Sequence, residues 1–290
     1  MKVMICGAGG QLGWELQRTA PPDIDLFPFT SRQLDISRQE QVADTVAGIR
    51  PALIINAAAY TAVDRAEQER DTAFAVNGRG VANLAEAALQ CGARLIHIST
   101  DFVFDGRKSR PYLPTDETNP LSVYGTSKRE GEELALAILP DVLIVRTAWV
   151  YSSHGANFVK TMLRLMNDRE TIGVVADQTG SPTWANGLAR TLWQLSATGL
   201  HGIHHWTDSG VASWYDFAVA IHEEASQLGL VNKEVAVFPI GAKDYPAPAS
   251  RPFYSVLDRS STIAALNQSP PHWRKQLRLM LREIRDEKDA

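Results

Sequence analysis

Cysteine is scarce in this chain of 290 residues, which holds only Cys6 and Cys91. Both lie in apolar surroundings, where a free thiol behaves as a small hydrophobic side chain. A disulfide framework or a cysteine-based metal centre needs more cysteines at characteristic spacings. We therefore expect both to be core residues rather than a disulfide or metal ligands.

Long apolar runs are also missing. The chain has no stretch of 18 apolar residues, and its N-terminus lacks the hydrophobic region of a signal peptide. These absences argue against a membrane-spanning or secreted protein. The default expectation is a soluble protein of the cytoplasm.

The chain has no block of basic residues. Lysines and arginines are scattered, the formal net charge is −4, and the isoelectric point is near 6.0. Proteins that bind nucleic acid or a membrane surface usually carry clustered positive charge. We therefore expect a small-molecule partner, with no nucleic acid and no membrane.

Apolar runs alternate with amphipathic stretches through the first half of the chain, which is typical of a parallel sheet covered by helices on both faces. We predict an α/β fold, a Rossmann-type doubly wound parallel sheet with a smaller mixed C-terminal substrate lobe. The predicted domains are a dinucleotide-binding domain over 1–150 and a mainly substrate-binding lobe over 151–290, of which some segments return to the first domain. A helix ends near Gly92, and the C-terminal tail forms an amphipathic helix. The predicted strands are 3–6, 26–29, 52–59, 94–100 and 142–150.

Three glycines recur at every third position directly after the first predicted strand. Gly7, Gly10 and Gly13 stand where a strand turns into a helix. Glycine lets the backbone come close to a ligand, and a helix N-terminus offers free N–H groups to an anion. We interpret the loop as a cradle for the pyrophosphate of a dinucleotide. The alternative is a tight strand–helix turn that binds nothing.

The sharpest feature of the sequence is Tyr124, followed four residues later by Lys128. On a helix these two side chains share one face. A nearby ammonium group is expected to lower the pKa of the phenol from about 10, as acid–base catalysis at neutral pH requires. Lys128 could also hold a nicotinamide ribose. The alternative is a pair of unrelated residues on an exposed helix face.

Two hydroxyl groups end the predicted strand that precedes this helix. Ligands of open α/β sheets bind at the carboxyl ends of the strands. We expect Thr100 to face the same cleft as Tyr124 and to hydrogen-bond a substrate carbonyl or the tyrosine hydroxyl. Ser99 is expected only to cap a turn.

The end of the second predicted strand bears on the choice of coenzyme. An acidic residue there would bind the ribose hydroxyls of NAD. The chain instead has Thr30, Ser31 and Arg32. A hydroxyl and a guanidinium suit a 2′-phosphate through charge-assisted hydrogen bonds. This favours NADPH, with NADH also usable; the alternative is that Arg32 stacks on adenine or points to solvent.

The glycine pattern, Thr100 and the Tyr124–Lys128 pair resemble the extended short-chain dehydrogenases/reductases. Within that superfamily the chain resembles the dTDP-4-dehydrorhamnose reductase family. The similar segments span almost the whole chain and are, in order, GQLGWEL, NAAAYTAVDRAE, STDFVFDG, VYGTSK, RTAWVY, NFVKTML, DQTGSPT, WYDFA and RPFYSVLD. The resemblance implies NADPH-dependent reduction of a dTDP-4-keto-6-deoxy sugar, the last step of dTDP-L-rhamnose synthesis.

The resemblance also implies roles for individual residues. Thr100, Tyr124 and Lys128 would be catalytic, and a homodimer is expected. Besides the glycine loop, Ser31, Arg32, Tyr124 and Lys128, the implied cofactor contacts are Gln11, Leu12, Asp35, Ile36, Ala58, Ala59 and Tyr60. The implied substrate contacts are Thr100, Asp101, Trp149, Asn157, Gln178 and Arg251.

No metal site is expected. Some members of the family bind magnesium between subunits through glutamates, and Glu15 matches one of these. The segment 184–187, however, lacks the glutamate that the family would have there. We therefore expect Glu15 to be a solvated helix residue. The clustered His201, His204 and His205 lie in a predicted strand without further ordered ligands, which argues against zinc.

Two other functions stay open. A sugar-nucleotide epimerase of the same superfamily would hold its NAD tightly, whereas a dehydratase would need an Asp-Glu pair after the threonine, where this chain has Asp101 and Phe102. A non-catalytic regulatory subunit, like the one of methionine adenosyltransferase, also resembles this family. Redox-neutral turnover would indicate the epimerase, and no turnover the binding module.

Overall fold

The computed structural model describes residues 1–289. Its strands are β1 (Lys2–Cys6), β2 (Asp25–Phe29), β3 (Leu53–Asn56), β4 (Arg94–Thr100), β5 (Leu143–Thr147), β6 (Val150–Tyr151), β7 (Thr171–Val175), β8 (Thr179–Gly180), β9 (Thr183–Trp184), β10 (Gly202–His205), β11 (Ala212–Ser213) and β12 (Ala236–Ile240). Its α-helices are α1 (Gln11–Arg18), α2 (Gln39–Ile49), α3 (Val63–Ala66), α4 (Arg70–Phe74), α5 (Gly80–Cys91), α6 (Val123–Ile138), α7 (Phe158–Asp168), α8 (Ala185–Ser196), α9 (Trp214–Gln227), α10 (Ser260–Leu266) and α11 (Trp273–Asp289).

The centre of the molecule is a six-stranded parallel sheet in the order β10-β5-β4-β3-β1-β2. The strand order reverses between β1 and β3, because β2 lies on one side of β1 and the later strands lie on the other. Ligands of doubly wound sheets bind in the crevice at such a reversal. The predicted α/β sheet is therefore confirmed.

Helices cover both faces of this sheet, so its central strands are apolar on both sides. Met4 and Ile54 pack on the face covered by α2, α5 and α6. Ile5 and Ile55 alternate with them and pack on the face covered by α1 and α8. The glycine loop and the strand ends are thus held between two well-packed layers.

The predicted strands are found, with two differences in length. Pro28 is tolerated in β2 because this is the edge strand of the sheet. The strand predicted over 52–59 ends at Asn56, where the chain turns towards the ligand edge. The strand predicted over 142–150 is split, since Trp149 has a left-handed φ of 50° and sends β6 out of the sheet to pair with β9.

The helix predicted to end near Gly92 is a continuous helical segment that consists of three parts. It runs from α4 through one π-helical turn, Ala75–Arg79, into α5. Gly92 adopts the left-handed conformation that ends α5, as predicted. Asn77, in the π-helical turn, is fully buried.

A second hydrophobic core lies in the C-terminal half, between α7, α9 and α11 and the two-stranded sheet β7–β12. The predicted tail helix is α11, and it buries Leu277, Met280 and Leu281 there. The same half also supplies β10 to the large sheet and α8 to its covering layer. Within residues 1–289 no helix combines the length and hydropathy that crossing a membrane requires.

Candidate active site

The glycine loop joins β1 to α1 in a turn that only glycine can make. Gly7 has a φ of 80°, and a Cβ on it would come 2.5 Å from the Ala58 nitrogen. A Cβ on Gly13 would come 2.2 Å from the Gly7 carbonyl oxygen. Gly10 begins α1 in an extended conformation and has no side chain to cap the helix. The first N–H groups of α1 therefore remain free for an anion, which fits the pyrophosphate of a dinucleotide.

Gln11 and Leu12 open α1 beside this loop. Leu12 is buried in the layer that covers the sheet. The side-chain oxygen of Gln11 accepts a hydrogen bond of 2.9 Å from Asn157 Nδ2. Gln11 thus links the glycine loop to α7, at whose N-terminus Asn157 is the capping residue.

The segment after β3 forms the next part of this edge. Ala58, Ala59 and Tyr60 are half-buried. Asn77 holds Tyr60 through two hydrogen bonds, since its side-chain oxygen accepts from the Tyr60 N–H (2.8 Å) and its amide donates to the Tyr60 carbonyl (3.0 Å). The same amide group donates to Ser127 on α6 at 3.0 Å. Sequence reasoning missed Asn77, because a π-helical turn gives no clear periodic signal.

The residues proposed for the adenosine end follow β2. Ser31 and Arg32 are exposed. Asp35 accepts two hydrogen bonds from Ser37, and Ile36 is buried. A guanidinium and a hydroxyl are thus free to meet an anionic ligand in the position where an NAD-binding chain would carry a carboxylate.

Tyr124 lies in the first turn of α6, which is fixed against the chain after β4. Ser122 caps the helix by accepting from the Gly125 N–H at 3.2 Å. A Cβ on Gly125 would come 2.2 Å from the Phe102 carbonyl oxygen, so the helix packs directly on that turn. The Tyr124 ring meets the edge of Phe102 with centroids 5.6 Å apart. This packing holds Tyr124 beside the end of β4, where Thr100 stands.

The pKa of Tyr124 does not follow the sequence-based expectation. Burial raises the pKa of Tyr124 to about 12; the hydroxyl of Thr100 opposes this rise and the carboxyl of Asp101 adds to it. The prediction that Lys128 lowers this pKa is wrong for this structure. The Lys128 nitrogen is directed elsewhere, to the Ile98 carbonyl at 2.7 Å and to His97 Nε2 at 3.3 Å.

Lys128 is buried one turn further along α6. Burial lowers its pKa to about 8, and the negative charge of Glu132 partly opposes this change. Glu132 itself forms a buried two-point ion pair with Arg146, with contacts of 2.6 and 2.8 Å. His97 was missed by sequence reasoning, although a histidine inside an apolar parallel strand is an unusual residue that could have been noticed.

Thr100 and Asp101 end β4 as a buried pair. The Thr100 hydroxyl donates to Asp101 Oδ1 at 3.1 Å and accepts from the Phe102 N–H at 3.2 Å. Burial raises the pKa of the Asp101 carboxyl to about 6, although hydrogen bonds from Ser255 and Thr100 oppose the rise. The pair lies at the carboxyl edge of the sheet, as predicted.

Trp149 lies at the border with the C-terminal half. Its ring stacks on Trp214 with centroids 3.5 Å apart and planes 3° from parallel. A Cβ on Gly180 would come 2.6 Å from the Trp149 ring, so only glycine leaves room for it. Gln178, two residues before Gly180, is also buried. Trp214 was not predicted as a site residue, although it belongs to the WYDFA segment.

Arg251 and Asn157 are engaged in contacts within the protein. Arg251 donates to Asp64 Oδ2 at 2.7 Å and to the Ala249 carbonyl at 3.1 Å. Asn157 donates to Gln11 and to the Ser152 carbonyl at 2.7 Å. Both residues connect elements of the two halves of the chain.

The expectation for Glu15 is wrong. Glu15 is fully buried, and it accepts hydrogen bonds from Ser152 (3.0 Å), Asn186 (2.7 Å) and Arg18 (2.9 Å). The helix faces the C-terminal half at this point, so the carboxylate is enclosed. Its partners are donors, and the described residues contain no cluster of His, Cys, Asp and Glu side chains that could hold a metal ion. These residues do not fit a magnesium site.

Comparisons with known proteins agree with this geometry. Residues 1–286 match the family described as the RmlD substrate binding domain. The dTDP-4-dehydrorhamnose reductase of Aggregatibacter actinomycetemcomitans is 42% identical over 285 residues, which are 96% of this chain and 97% of that protein. That of Escherichia coli K12 is 42% identical over 296 residues, 98% of each chain. The crystal structure of the Bacillus anthracis dTDP-4-dehydrorhamnose reductase in complex with NADP is 41% identical, with a TM-score of 0.92, and the match covers 97% of this chain and 99% of that chain. The chain belongs to the dTDP-4-dehydrorhamnose reductase family.

Proposed function

We propose that this chain reduces the C4 keto group of dTDP-4-dehydro-6-deoxy-L-mannose (dTDP-4-dehydrorhamnose) to give dTDP-L-rhamnose, the final step of dTDP-L-rhamnose synthesis. The observation that carries the proposal is that Thr100, at the end of β4, lies within hydrogen-bond reach of Tyr124 in the first turn of α6, with Lys128 buried one turn further along that helix. Thr100 ends its strand at the same sheet edge as the glycine loop that follows β1. A proton donor and a dinucleotide cradle at one edge are what reduction of a carbonyl needs.

NADPH is the hydride donor in this proposal, and NADH is also usable. The uncapped N-terminus of α1 would hold the pyrophosphate, and Ser31 and Arg32 would meet the 2′-phosphate. Asp35 and Ile36 would flank the adenine, and Ala58, Ala59 and Tyr60 would line the trough. NADPH, when bound, supplies a hydride to the substrate C4.

Tyr124 donates the proton that neutralises the substrate oxygen. Its pKa, far above neutral, keeps the hydroxyl protonated but makes it a weak acid, so the proton leaves only as negative charge develops on the substrate oxygen. The Thr100 hydroxyl is a second donor to the same oxygen. Lys128 holds the nicotinamide ribose by donating hydrogen bonds from its ammonium group.

The dTDP-sugar binds on the side of the C-terminal half. Asp101, Trp149 and Gln178 would contact it directly. Asn157 and Arg251 are assigned a supporting role, because their side chains already hold Gln11 and Asp64. We further propose a homodimer in the cytoplasm, a compartment compatible with two free thiols. Sedimentation at increasing protein concentration tests the homodimer.

Product analysis tests the proposed reaction. Purified protein is mixed with dTDP-4-dehydrorhamnose and NADPH, and the products are identified by mass spectrometry while coenzyme oxidation is followed by the absorbance of the reduced nicotinamide. The expected result is one NADPH oxidised for each dTDP-L-rhamnose formed. Redox-neutral conversion of the sugar would replace the proposal with an epimerase, and binding without turnover would replace it with a regulatory subunit.

A further inference from the structure

Three buried side chains form a hydrogen-bonded row behind the site. Asn56 ends β3, His97 lies in the middle of β4, and Lys128 belongs to α6; each is at most 1% exposed. Asn56 Nδ2 lies 3.1 Å from His97 Nδ1, and His97 Nε2 lies 3.3 Å from Lys128 Nζ. Because no solvent reaches this row, every donor in it must face an acceptor.

A backbone group fixes the direction of the row. The Ala58 N–H donates to Asn56 Oδ1 at 3.0 Å, and a backbone N–H can only donate. The amide nitrogen of Asn56 must therefore be the atom that faces His97, and it too is only a donor. His97 Nδ1 must accept this hydrogen bond, so a neutral ring carries its proton on Nε2.

The proton on Nε2 points at Lys128, so the Lys128 nitrogen must act as a hydrogen-bond acceptor. An ammonium group has three donors and no acceptor, so it would face the His97 N–H donor to donor. A neutral amine has a lone pair that accepts from Nε2–H, and it can still donate to the Ile98 carbonyl. Only the neutral amine satisfies all the groups of the row.

The charges around Lys128 are consistent with this choice. Glu132 would favour an ammonium group, but both of its oxygens are paired with Arg146. Burial lowers the pKa of Lys128 to about 8, which is the direction that favours the neutral amine, and it keeps the pKa of His97 well below its ordinary value. At this pKa alone the ammonium group would still predominate at pH 7, so the choice rests on the hydrogen-bond geometry of the row. The titratable and charged groups that act on Lys128 are His97 on β4, through the 3.3 Å contact, and Glu132 on α6, through its charge, while Arg146 on β5 pairs with Glu132.

We infer that His97 is a positioning residue that selects the neutral amine of Lys128 before coenzyme binds. Asn56 sets the tautomer of His97, and His97 directs its proton to the Lys128 lone pair. This inference rests on the proposed function, in which Lys128 holds the coenzyme, and it adds that Lys128 takes up one proton from solvent when it becomes an ammonium group. His97 touches neither substrate nor coenzyme in this scheme.

Nitrogen NMR of the unliganded wild-type protein tests the tautomer directly. With ¹⁵N-labelled histidine, we expect His97 to be protonated on Nε2 and bare on Nδ1. His205 is an internal control of the opposite kind, because its Nδ1 lies 3.1 Å from the Asp258 carbonyl and must carry the proton. A proton on Nδ1 of His97 would overturn the inference. Neither substrate nor turnover is needed, so failure of the proposed reaction would leave this result unaffected.

The isosteric variant Asn56→Asp is expected to reverse the donor and acceptor roles along the row. Its carboxylate can still accept from the Ala58 N–H, but it also accepts from His97 Nδ1–H, which frees Nε2 to accept from an ammonium group. We expect the tautomer of His97 to switch, which is the decisive outcome. The pKa of Lys128, followed by ¹³C NMR of labelled lysine, should rise by about one unit or more, because the freed Nε2 acceptor and the new carboxylate both favour the ammonium group. Retention of the Nε2–H tautomer, or an unchanged Lys128 pKa, would contradict the inference; His205 should keep its tautomer in both proteins.

Discussion

In the proposed mechanism Tyr124 donates the proton, and its hydroxyl can be removed without changing the ring that packs on Phe102. In Tyr124→Phe we expect kcat to fall by roughly 10²–10⁴-fold, the usual contribution of general acid catalysis. NADPH affinity, measured by fluorescence titration, should stay close to the wild-type value. Tyr112→Phe is the control, because Tyr112 donates to Asp105 and lies outside the proposed site. Near-normal kcat in the Tyr124 variant on a verified substrate would remove Tyr124 from the mechanism.

Arg32 is predicted to select between the two coenzymes. Its exposed guanidinium replaces the acidic residue that binds ribose hydroxyls in NAD-dependent proteins. In Arg32→Ala we expect the KM for NADPH to rise by an amount equivalent to about 1.5–3 kcal/mol, as for hydrogen bonds to charged groups. The KM for NADH is the internal reference and should change little. Equal losses with both coenzymes would show that Arg32 does not read the 2′-phosphate.

For single residues, sequence reasoning succeeded where the residue type itself determines the geometry, as glycine does. It failed where residues distant in sequence determine the burial or direction of a side chain. The close contacts at Gly7 and Gly13 follow from the absence of a side chain, which the sequence states directly. The burial of Glu15 depends on Ser152 and Asn186, more than a hundred residues away, so no local pattern could indicate it. The direction of the Lys128 amine likewise depends on His97, which lies in another element.

The junction of β1 and α1 is an element whose geometry allows a matched pair of substitutions. In Gly13→Ala the new Cβ would lie 2.2 Å from the Gly7 carbonyl oxygen, so we expect a loss of about 1–3 kcal/mol in the free energy of unfolding and weaker NADPH binding. In Gly48→Ala, within α2, the new Cβ meets nothing within 4 Å, and a gain of up to about 1 kcal/mol is expected. Urea unfolding and coenzyme titration of both variants provide the measurement. A neutral effect at Gly13 would contradict the close packing of the loop.

The regular elements were predictable because their apolar patterns are strong, whereas their interruptions were not. The apolar run that gave β1 is continuous, and those of β4 and β5 stay recognisable although they contain His97 and Arg146. Strand β2 tolerates Pro28 only because of its place at the sheet edge. The left-handed Trp149 is different, because its conformation is held by stacking on Trp214 and by the space that Gly180 leaves. A bulky residue in this conformation is costly unless its surroundings hold it there.

The two halves of the molecule are joined through Glu15. Its carboxylate connects α1 to Ser152 and Asn186, and Arg18 continues the connection to Glu283 on α11. In Glu15→Ala these buried donors lose their acceptor, and we expect the free energy of unfolding to fall by about 3 kcal/mol. Glu283→Ala removes only the more exposed end of this Glu15–Arg18–Glu283 connection, and it should lower the free energy of unfolding by less than about 1 kcal/mol. Denaturant unfolding of both variants, with equal slopes, checks that Glu15→Ala loses more stability than Glu283→Ala. An equal loss of unfolding free energy in the two variants would contradict this prediction.

The origin of β10 in the C-terminal half has a consequence for how the protein comes off the ribosome. Synthesis proceeds from the N-terminus, so β5 is complete long before its neighbour β10, which spans Gly202–His205. Until then the β5 edge presents unpaired N–H and C=O groups, the kind of edge on which other chains add strands. A fragment that stops near residue 150 would carry that open edge permanently. The coenzyme-binding sheet is therefore completed late in translation, and its β5 edge stays open while the chain between β5 and β10 is made.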